Sequence, residues 1–239
     1  MLNVSGHRMI DYQGLMMDNS RWDNFQFRPN DIIISTPPKS GTTWTQMICA
    51  LLIFRTVKFG QTLAKISPWL DQKSQPIEQV LAQYEAQTHR RFIKTHTPFD
   101  GLPYVEYVNY IFVGRNPLDQ FFSLYHHYKN SDRVAIESSL DQKLQTPFLH
   151  GPDSYFQKEI EKNTGWHHLQ TFWPARKLPN VILIHYSDLK ANLSIEMWKL
   201  ARLLQIDITM EDCHWLSTFA SFDYMKANAT KSVPLGGAF

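Results

Sequence analysis

The stretch that decides the fold is Thr36-Pro37-Pro38-Lys39-Ser40-Gly41-Thr42-Thr43-Trp44. Residues 31–35, directly before it, are rich in isoleucine and are predicted to form a short buried strand. After it, apolar residues recur at helical spacing, which predicts a helix over residues 42–54. The N-terminus of a helix presents free backbone N–H groups and a partial positive charge, which together hold phosphate. The stretch is therefore predicted to be a phosphate-binding strand-loop-helix.

The loop also carries side chains that suit an anion. Gly41 lets the backbone approach a ligand closely. Ser40, Thr42 and Thr43 supply hydroxyl donors, and Lys39 supplies a full positive charge. In the Walker A loop the lysine follows the last glycine, whereas Lys39 precedes Gly41, so an ordinary ATP-hydrolysing site fits less well. The motif alone leaves other phosphate-dependent reactions open, including that of a P-loop-type ATP-dependent kinase.

Three further strands are predicted from apolar runs at residues 91–95, 107–113 and 180–186. Helices are predicted over residues 77–89, from Pro117 or Leu118 onward, and over residues 195–204. Strands this apolar are usually covered on both faces, which predicts an α/β fold with a mainly parallel sheet flanked by helices. Ligands of such sheets bind at the carboxyl ends of the strands, where Lys39, Lys94, His96 and Arg115 are found.

The chain of 239 residues is expected to be a single domain over residues 1–239, because no repeat or linker divides it. Hydrophobic residues make up 43% of the chain and charged residues 19%, which excludes general disorder. Residues 130–165 are polar and aperiodic, and they are predicted to be a long surface loop with short helices.

Composition also limits the partners and the location. The formal charge of +2 argues against a nucleic-acid-binding surface. The longest apolar stretch, residues 47–54, is far too short to span a membrane, and the N-terminus lacks a signal-peptide pattern. Cys49 and Cys213 form neither a disulfide framework nor a zinc motif. We therefore expect a cytoplasmic protein.

At this point a family resemblance emerges from four blocks. Residues 39–44, Lys-Ser-Gly-Thr-Thr-Trp, resemble the 5′-phosphosulfate loop of the cytosolic sulfotransferases, although Pro37 stands where that family has an aromatic residue. Residues 93–98, Ile-Lys-Thr-His-Thr-Pro, resemble the family's catalytic segment. These enzymes use 3′-phosphoadenosine 5′-phosphosulfate (PAPS) as the sulfuryl donor and release 3′,5′-ADP.

The other two blocks resemble the nucleotide-binding parts of the family. Residues 113–117, followed by Ser123, resemble its 3′-phosphate-binding segment, and residues 181–188 resemble a strand whose tyrosine, here Tyr186, faces adenine. Arg115 offers a planar fork of donors suited to the 3′-phosphate, and Ser123 adds a hydroxyl group. The resemblance further assigns Trp44 and Phe222 to the adenine ring.

The resemblance implies a P-loop-like sulfotransferase fold and a general base. His96 is the candidate base, because imidazole titrates near neutrality and can accept the proton of an attacking hydroxyl. Residues two apart in an extended chain point the same way, so Lys94 and His96 should face one site. Lys94 would stabilise the sulfuryl oxygens and keep His96 neutral by repulsion. Lys39 is expected to bind the 5′-phosphate and the bridging oxygen.

The expected acceptor is a small molecule with a hydroxyl or amine group. Trp69, Phe99 and His126 are predicted to line a mostly apolar acceptor pocket. No metal is expected, because positive side chains take the part that Mg²⁺ plays in kinases. The adjacent pairs 126–127 and 167–168 do not suggest a metal site either, because neighbouring histidines diverge on a helix or strand.

The family carries an Arg-Lys-Gly segment near its C-terminal end that covers the nucleotide, followed by a dimerisation segment. No such segment precedes Phe239, so the cofactor-covering segment is expected to be missing from this sequence as an omitted tail. PAPS affinity, activity and the usual homodimer would depend on it. An inactive nucleotide-binding homologue is thus a second alternative, beside the kinase.

Overall fold

The computed structural model describes residues 9–14, 16–130 and 164–229. Its centre is a four-stranded parallel sheet built from β1 (Ile32–Ser35), β2 (Phe92–Thr95), β3 (Asn109–Gly114) and β4 (Val181–His185). The strand order is β2-β1-β3-β4, so β1 pairs with β2 on one side and with β3 on the other. The strand order therefore reverses between β1 and β3, and the loops after β1 and β3 leave the sheet side by side.

Helices cover the sheet. They are α1 (Thr42–Phe54), α2 (Leu63–Ile66), α3 (Ile77–Glu85), α4 (Pro117–Asn130), α5 (Thr164–Ala175), α6 (Tyr186–Ala191), α7 (Leu193–Leu203), α8 (Met210–Ser217) and α9 (Phe222–Ala227). Short 3-10 turns lie at Asn19–Asn24, Phe99–Gly101 and Thr218–Ala220. Within the described ranges, no helix is long and apolar enough to cross a bilayer.

Both faces of the sheet are buried, as the apolar strands predicted. Alternate residues of a strand point to opposite faces, so Ile32 and Ile34 pack with α1, α7 and α8, while Ile33 packs with the other core. That second core is aromatic and includes Trp22, Tyr84 and Phe172. The α/β fold with a parallel sheet flanked by helices is therefore confirmed.

The observed elements differ from the prediction in several places. The helix predicted over residues 77–89 ends at Glu85, where the Arg28 guanidinium binds the carbonyl oxygens of Glu85 and Gln87. Helix α8 was not predicted, although Thr209 caps it by accepting from the Asp212 amide at 3.0 Å. Most of the predicted surface loop, residues 131–163, lies outside the described residues, and its last two positions belong to α5.

Candidate functional site

The phosphate loop has two residues in the left-handed backbone region. The φ angle is 64° at Lys39 and 102° at Gly41, and the Ser40 amide donates to the Pro37 carbonyl at 3.2 Å. A lysine in this region is strained, which is typical of functional loops. A Cβ atom at Gly41 would lie 3.1 Å from the ring of Tyr186, so glycine is required for space as well as for conformation. Helix α1 begins directly after Gly41, as predicted.

The loop is held against β3 and α4. An Nη1 hydrogen of Arg115 is donated to the Lys39 carbonyl at 2.7 Å, and Gln120 Nε2 donates to the Pro38 carbonyl at 2.9 Å. The hydroxyl groups of Thr36 and Thr42 are 2.5 Å apart beneath the loop. These contacts are possible because the loops after β1 and β3 lie side by side. They bring Lys39 and Arg115 together, as the sequence predicted.

Two buried donors at this loop have no protein partner among the described residues. They are the Ser40 hydroxyl and the Nε atom of Arg115. A buried polar group without a partner costs free energy unless something binds it. Thr43 lies next to them, half-buried in the first turn of α1. The loop therefore offers free hydrogen-bond capacity where an anion would sit.

The site is positively charged. Within residues 9–14, 16–130 and 164–229, none of the salt bridges involves Lys39, Lys94 or Arg115. Burial, followed by the charge of Arg115, lowers the pKa of Lys39. Like charges this close repel one another, and a bound anion would relieve that repulsion.

His96 is held in one tautomer. Its Nδ1 atom lies 2.7 Å from the Thr36 carbonyl oxygen, which can only accept, so Nδ1 carries the hydrogen and Nε2 carries the lone pair. Burial, and then the charge of Lys94, lower the pKa of His96 to about 3, with smaller contributions from Lys39 and His127. His96 is therefore neutral over the whole physiological range, with Nε2 available as a base.

Lys94 and His96 share one aromatic neighbour. The Lys94 Nζ atom lies 4.4 Å from the ring centroid of Trp69, and the Trp69 and His96 rings meet edge to face at 4.7 Å. Burial lowers the pKa of Lys94 to about 8, although the Asp71 carboxylate acts in the opposite direction. The structure thus brings Lys94, His96 and Trp69 together at the end of β2.

Trp44 and Tyr186, two aromatic residues of the predicted adenine site, are in contact. The ring centroids of Tyr186 and Trp44 are 5.1 Å apart, edge to face. The Arg115 guanidinium lies 4.4 Å from the centroid of the Tyr186 ring. Trp44 Nε1 donates to the Ala220 carbonyl at 2.8 Å, which ties α1 to the segment before Phe222. Phe222 itself is 76% exposed.

The acceptor side differs from the prediction. The structure does not bring Phe99 to the site, because its ring is buried in the second core against Tyr104 and Phe172. His126 is exposed on α4. Its neighbour His127 is partly buried, and burial and the charges of Lys39 and Lys94 lower its pKa to about 4.

His127 is therefore a site residue that sequence reasoning missed. A signal was present, because His127 follows Ser123 by four residues and the two lie on one face of a helix. Ser123 is half-buried, two turns into α4. His127 also follows Gln120 by seven residues, so it shares the face of α4 that contacts the phosphate loop.

The arrangement suits transfer of an anionic group to a hydroxyl. The helix N-terminus and three cations can bind phosphate, and a neutral imidazole lies close enough to Lys94 and Lys39 for their charges to lower its pKa. Within the described residues there is no cluster of His, Cys, Asp and Glu side chains that could hold a metal ion.

Comparisons with known proteins agree with this geometry. The model of the sulfotransferase domain family matches residues 29–235. A glycolipid sulfotransferase of Mycobacterium tuberculosis is 40% identical, over 96% of this chain and 81% of its own length. Sulfotransferase 1 family member D1 of Mus musculus is 28% identical, over 95% of this chain and 78% of its own length.

Solved structures share the fold. Mouse sulfotransferase SULT7A1, complexed with PAP, superposes with a TM-score of 0.68 at 23% identity, covering 89% of this chain and 71% of that one. A retinol dehydratase in complex with androsterone and the inactive cofactor PAP gives a TM-score of 0.65 at 20% identity, covering 90% and 73%.

Proposed function

The chain belongs to the sulfotransferase family, and from that premise we propose that it transfers a sulfuryl group from PAPS to a hydroxyl group of a small-molecule acceptor. The observation that carries the proposal is the fixed tautomer of His96 beside the phosphate loop. The lysine of a Walker A loop follows the last glycine, whereas Lys39 precedes Gly41, so a kinase fits less well. A donor with phosphate groups on both the 3′ and the 5′ position of its ribose accounts for Lys39 and Arg115 together.

The residues present fit PAPS. Ser40 Oγ and Arg115 Nε are buried donors that need an acceptor, and phosphate oxygens would satisfy them. Lys39 and the backbone N–H groups of residues 40–43 would hold the 5′-phosphate, while Arg115 and Ser123 would hold the 3′-phosphate. Trp44, Tyr186 and the exposed ring of Phe222 would enclose adenine. Bound PAPS supplies a sulfuryl group whose bond to the 5′-phosphate is the one that breaks.

His96 and the two lysines would carry the chemistry. His96 Nε2 would take the proton as the acceptor oxygen bonds to sulfur, and that proton later passes to solvent. Lys39 would neutralise the negative charge that develops on the bridging oxygen as the sulfur–oxygen bond breaks. Lys94 would bind the sulfuryl oxygens. The positive charge comes from protein side chains, so this mechanism needs no metal ion.

For the acceptor we propose a sugar hydroxyl of a glycolipid, with other hydroxyl or amine compounds as the wider class. The support is the name of the M. tuberculosis relative at 40% identity. Trp69, half-buried beside His96, would contact the acceptor, because aromatic rings pack against the apolar faces of sugars and steroids alike. His127 would replace His126 as the histidine on this side of the site.

Binding can be tested by thermal shift with 3′,5′-ADP and with ATP plus Mg²⁺. We expect stabilisation by 3′,5′-ADP, which is a linkage effect of binding to the folded state. Preferential stabilisation by ATP and Mg²⁺ would favour the kinase alternative instead. Absence of any response would favour a homologue that does not bind nucleotides.

Transfer can be tested with radiolabelled PAPS and a panel of glycolipids, sterols, phenols and amines. We expect His96→Ala to lower the transfer rate by about 10² to 10⁴-fold while 3′,5′-ADP binds nearly as well as to the wild type. His214→Ala is the matched control, because His214 is exposed on α8. Full activity of His96→Ala would refute the general-base role.

We also propose that the whole chain is one domain, since the described elements surround a single sheet. The buried free thiols of Cys49 and Cys213 support a reducing, cytoplasmic location.

A further inference from the structure

Asp71 is a completely buried acid beside the site. Its carboxylate accepts hydrogen bonds from four side chains on three separate segments of the chain. Trp22 Nε1 donates at 3.1 Å, Trp69 Nε1 at 2.5 Å and Thr97 Oγ1 at 2.6 Å, and Thr95 Oγ1 is the fourth donor. Two indoles and two hydroxyls therefore surround this carboxylate.

The donors to Asp71 form the wall around the base. Trp69 contacts both His96 and Lys94 through its ring. Thr95 and Thr97 flank His96 in sequence, and the Thr97 amide donates to Thr95 Oγ1 at 2.9 Å. The main chain of Trp69 also pairs with Lys94 in an isolated parallel bridge. Asp71 therefore fixes the residues on either side of His96 and the ring beside it.

We propose that Asp71 is a positioning residue of the sulfuryl-transfer site, holding Trp69 and residues 95–97 in place and keeping Lys94 charged by its own negative charge. The inference rests on the proposed function and extends it to a residue that contacts neither donor nor acceptor.

The charges around Lys94 show why an acid matters here. Lys39 of the phosphate loop repels the Lys94 charge, and His127 of α4 and His96 of the same segment are neutral near pH 7. Burial favours neutral Lys94, and the carboxylate of Asp71 opposes this. Burial also raises the pKa of Asp71, but its four hydrogen bonds act in the opposite direction and favour the anion.

The decisive variant is Asp71→Asn, which keeps the shape and removes the charge. We expect the alkaline limb of the pH–rate profile to move down by about one pH unit, which lowers the rate about tenfold on that limb. The affinity for 3′,5′-ADP should stay within about twofold, because the phosphate loop is unchanged. Asp207→Asn is the control, since it removes the same charge from an exposed position.

A second pair of variants tests whether the alkaline limb of the pH–rate profile reports deprotonation of Lys94. Arginine stays charged throughout this range, so Lys94→Arg and the double variant Lys94→Arg/Asp71→Asn should both lack the alkaline limb. If folded Asp71→Asn has the wild-type pH profile, or loses 3′,5′-ADP binding together with activity, Asp71 is merely structural and the proposal is overturned.

If Asp71→Asn does not fold, two milder variants test the positioning role of Asp71. Thr95→Val and Thr97→Val each remove one hydroxyl donor and keep the carboxylate, so both should lower kcat with the alkaline limb unmoved and KM for PAPS unchanged. Wild-type kcat in both would overturn the proposal. Absence of sulfuryl transfer by the wild-type chain would instead refute the proposed function, which separates the two failures.

Discussion

Replacing Gly41 by alanine tests whether the close contact between the phosphate loop and the Tyr186 ring contributes to nucleotide binding. The new Cβ atom would lie 3.1 Å from Cδ2 and 3.2 Å from Cε2 of Tyr186. The Tyr186 ring cannot retreat freely, because it packs between Trp44 and the Arg115 guanidinium. The substitution should therefore displace Tyr186 or distort the loop, and either change lowers nucleotide affinity.

The chain contains a matched control at Gly60. Its φ angle is 73°, also in the left-handed region, but no atom lies within 4 Å of the position that a Cβ would occupy. Gly60→Ala should lose only the cost of placing an alanine in the left-handed region, the backbone term, which is about 1 kcal/mol of unfolding free energy. Gly41→Ala should lose that term plus overpacking, about 2 to 4 kcal/mol in total.

Urea unfolding of both variants would give the stability difference, and calorimetric titration with 3′,5′-ADP would give the affinity. We expect Gly60→Ala to bind like the wild type and Gly41→Ala to bind about tenfold more weakly, which corresponds to about 1.4 kcal/mol. If Gly41→Ala binds 3′,5′-ADP as tightly as Gly60→Ala does, the contact with Tyr186 has no part in the nucleotide site.

Three further predictions concern charge and burial. Arg115→Lys loses the planar guanidinium that donates to the Lys39 carbonyl and stacks on Tyr186. In calorimetric titration, 3′,5′-ADP should therefore bind about tenfold more weakly, and 5′-AMP should lose much less affinity. Equal losses for the two nucleotides would contradict a role of Arg115 in binding the 3′-phosphate. Because the pKa of His96 is about 3 when folded and about 6.5 when unfolded, the unfolded chain binds an extra proton below pH 6.5. Stability should thus fall by about 1.4 kcal/mol through this residue between pH 7.5 and 5.5, and urea unfolding should show a smaller fall in His96→Asn; an equal fall would disprove the shift. Burial raises the pKa of Cys49 to about 12, so thiol reagents should modify it only after unfolding, and mass spectrometry that finds it modified in native protein would contradict its burial.

The fold was predictable because its strands are short, apolar and followed by loop-forming residues. Burial on both faces produces the unbroken isoleucine run of β1, and helix α1 begins where the glycine predicts it. The sequence could not place the end of α3, because that end is set by Arg28, which lies far away along the chain. Local propensity contains no information on such a partner.

The same division holds for the site. The proximity of Lys39, Lys94, His96 and Arg115 was predictable because each lies at a strand end, and parallel strands bring their carboxyl ends to one edge. The hydrogen bonds of Asp71 were not, because they depend on which side chains from other elements face it. Phe99 was misplaced for the converse reason, since an aromatic residue after a strand suits a pocket and a core equally well in sequence.

Under the proposed function, the cations that bind the donor would also control the basicity of His96. In the free protein, burial and the charge of Lys94 hold the pKa of His96 near 3, with a smaller contribution from Lys39, so its lone pair is available but weakly basic. Under the proposed function, phosphate and sulfuryl oxygens would neutralise those charges, and the pKa of His96 would rise toward the range in which a general base is most effective. Donor binding would then make His96 more basic before the proton of the acceptor is transferred. The tautomer is fixed by the Thr36 carbonyl before any ligand arrives, so this change in basicity requires no movement of the ring.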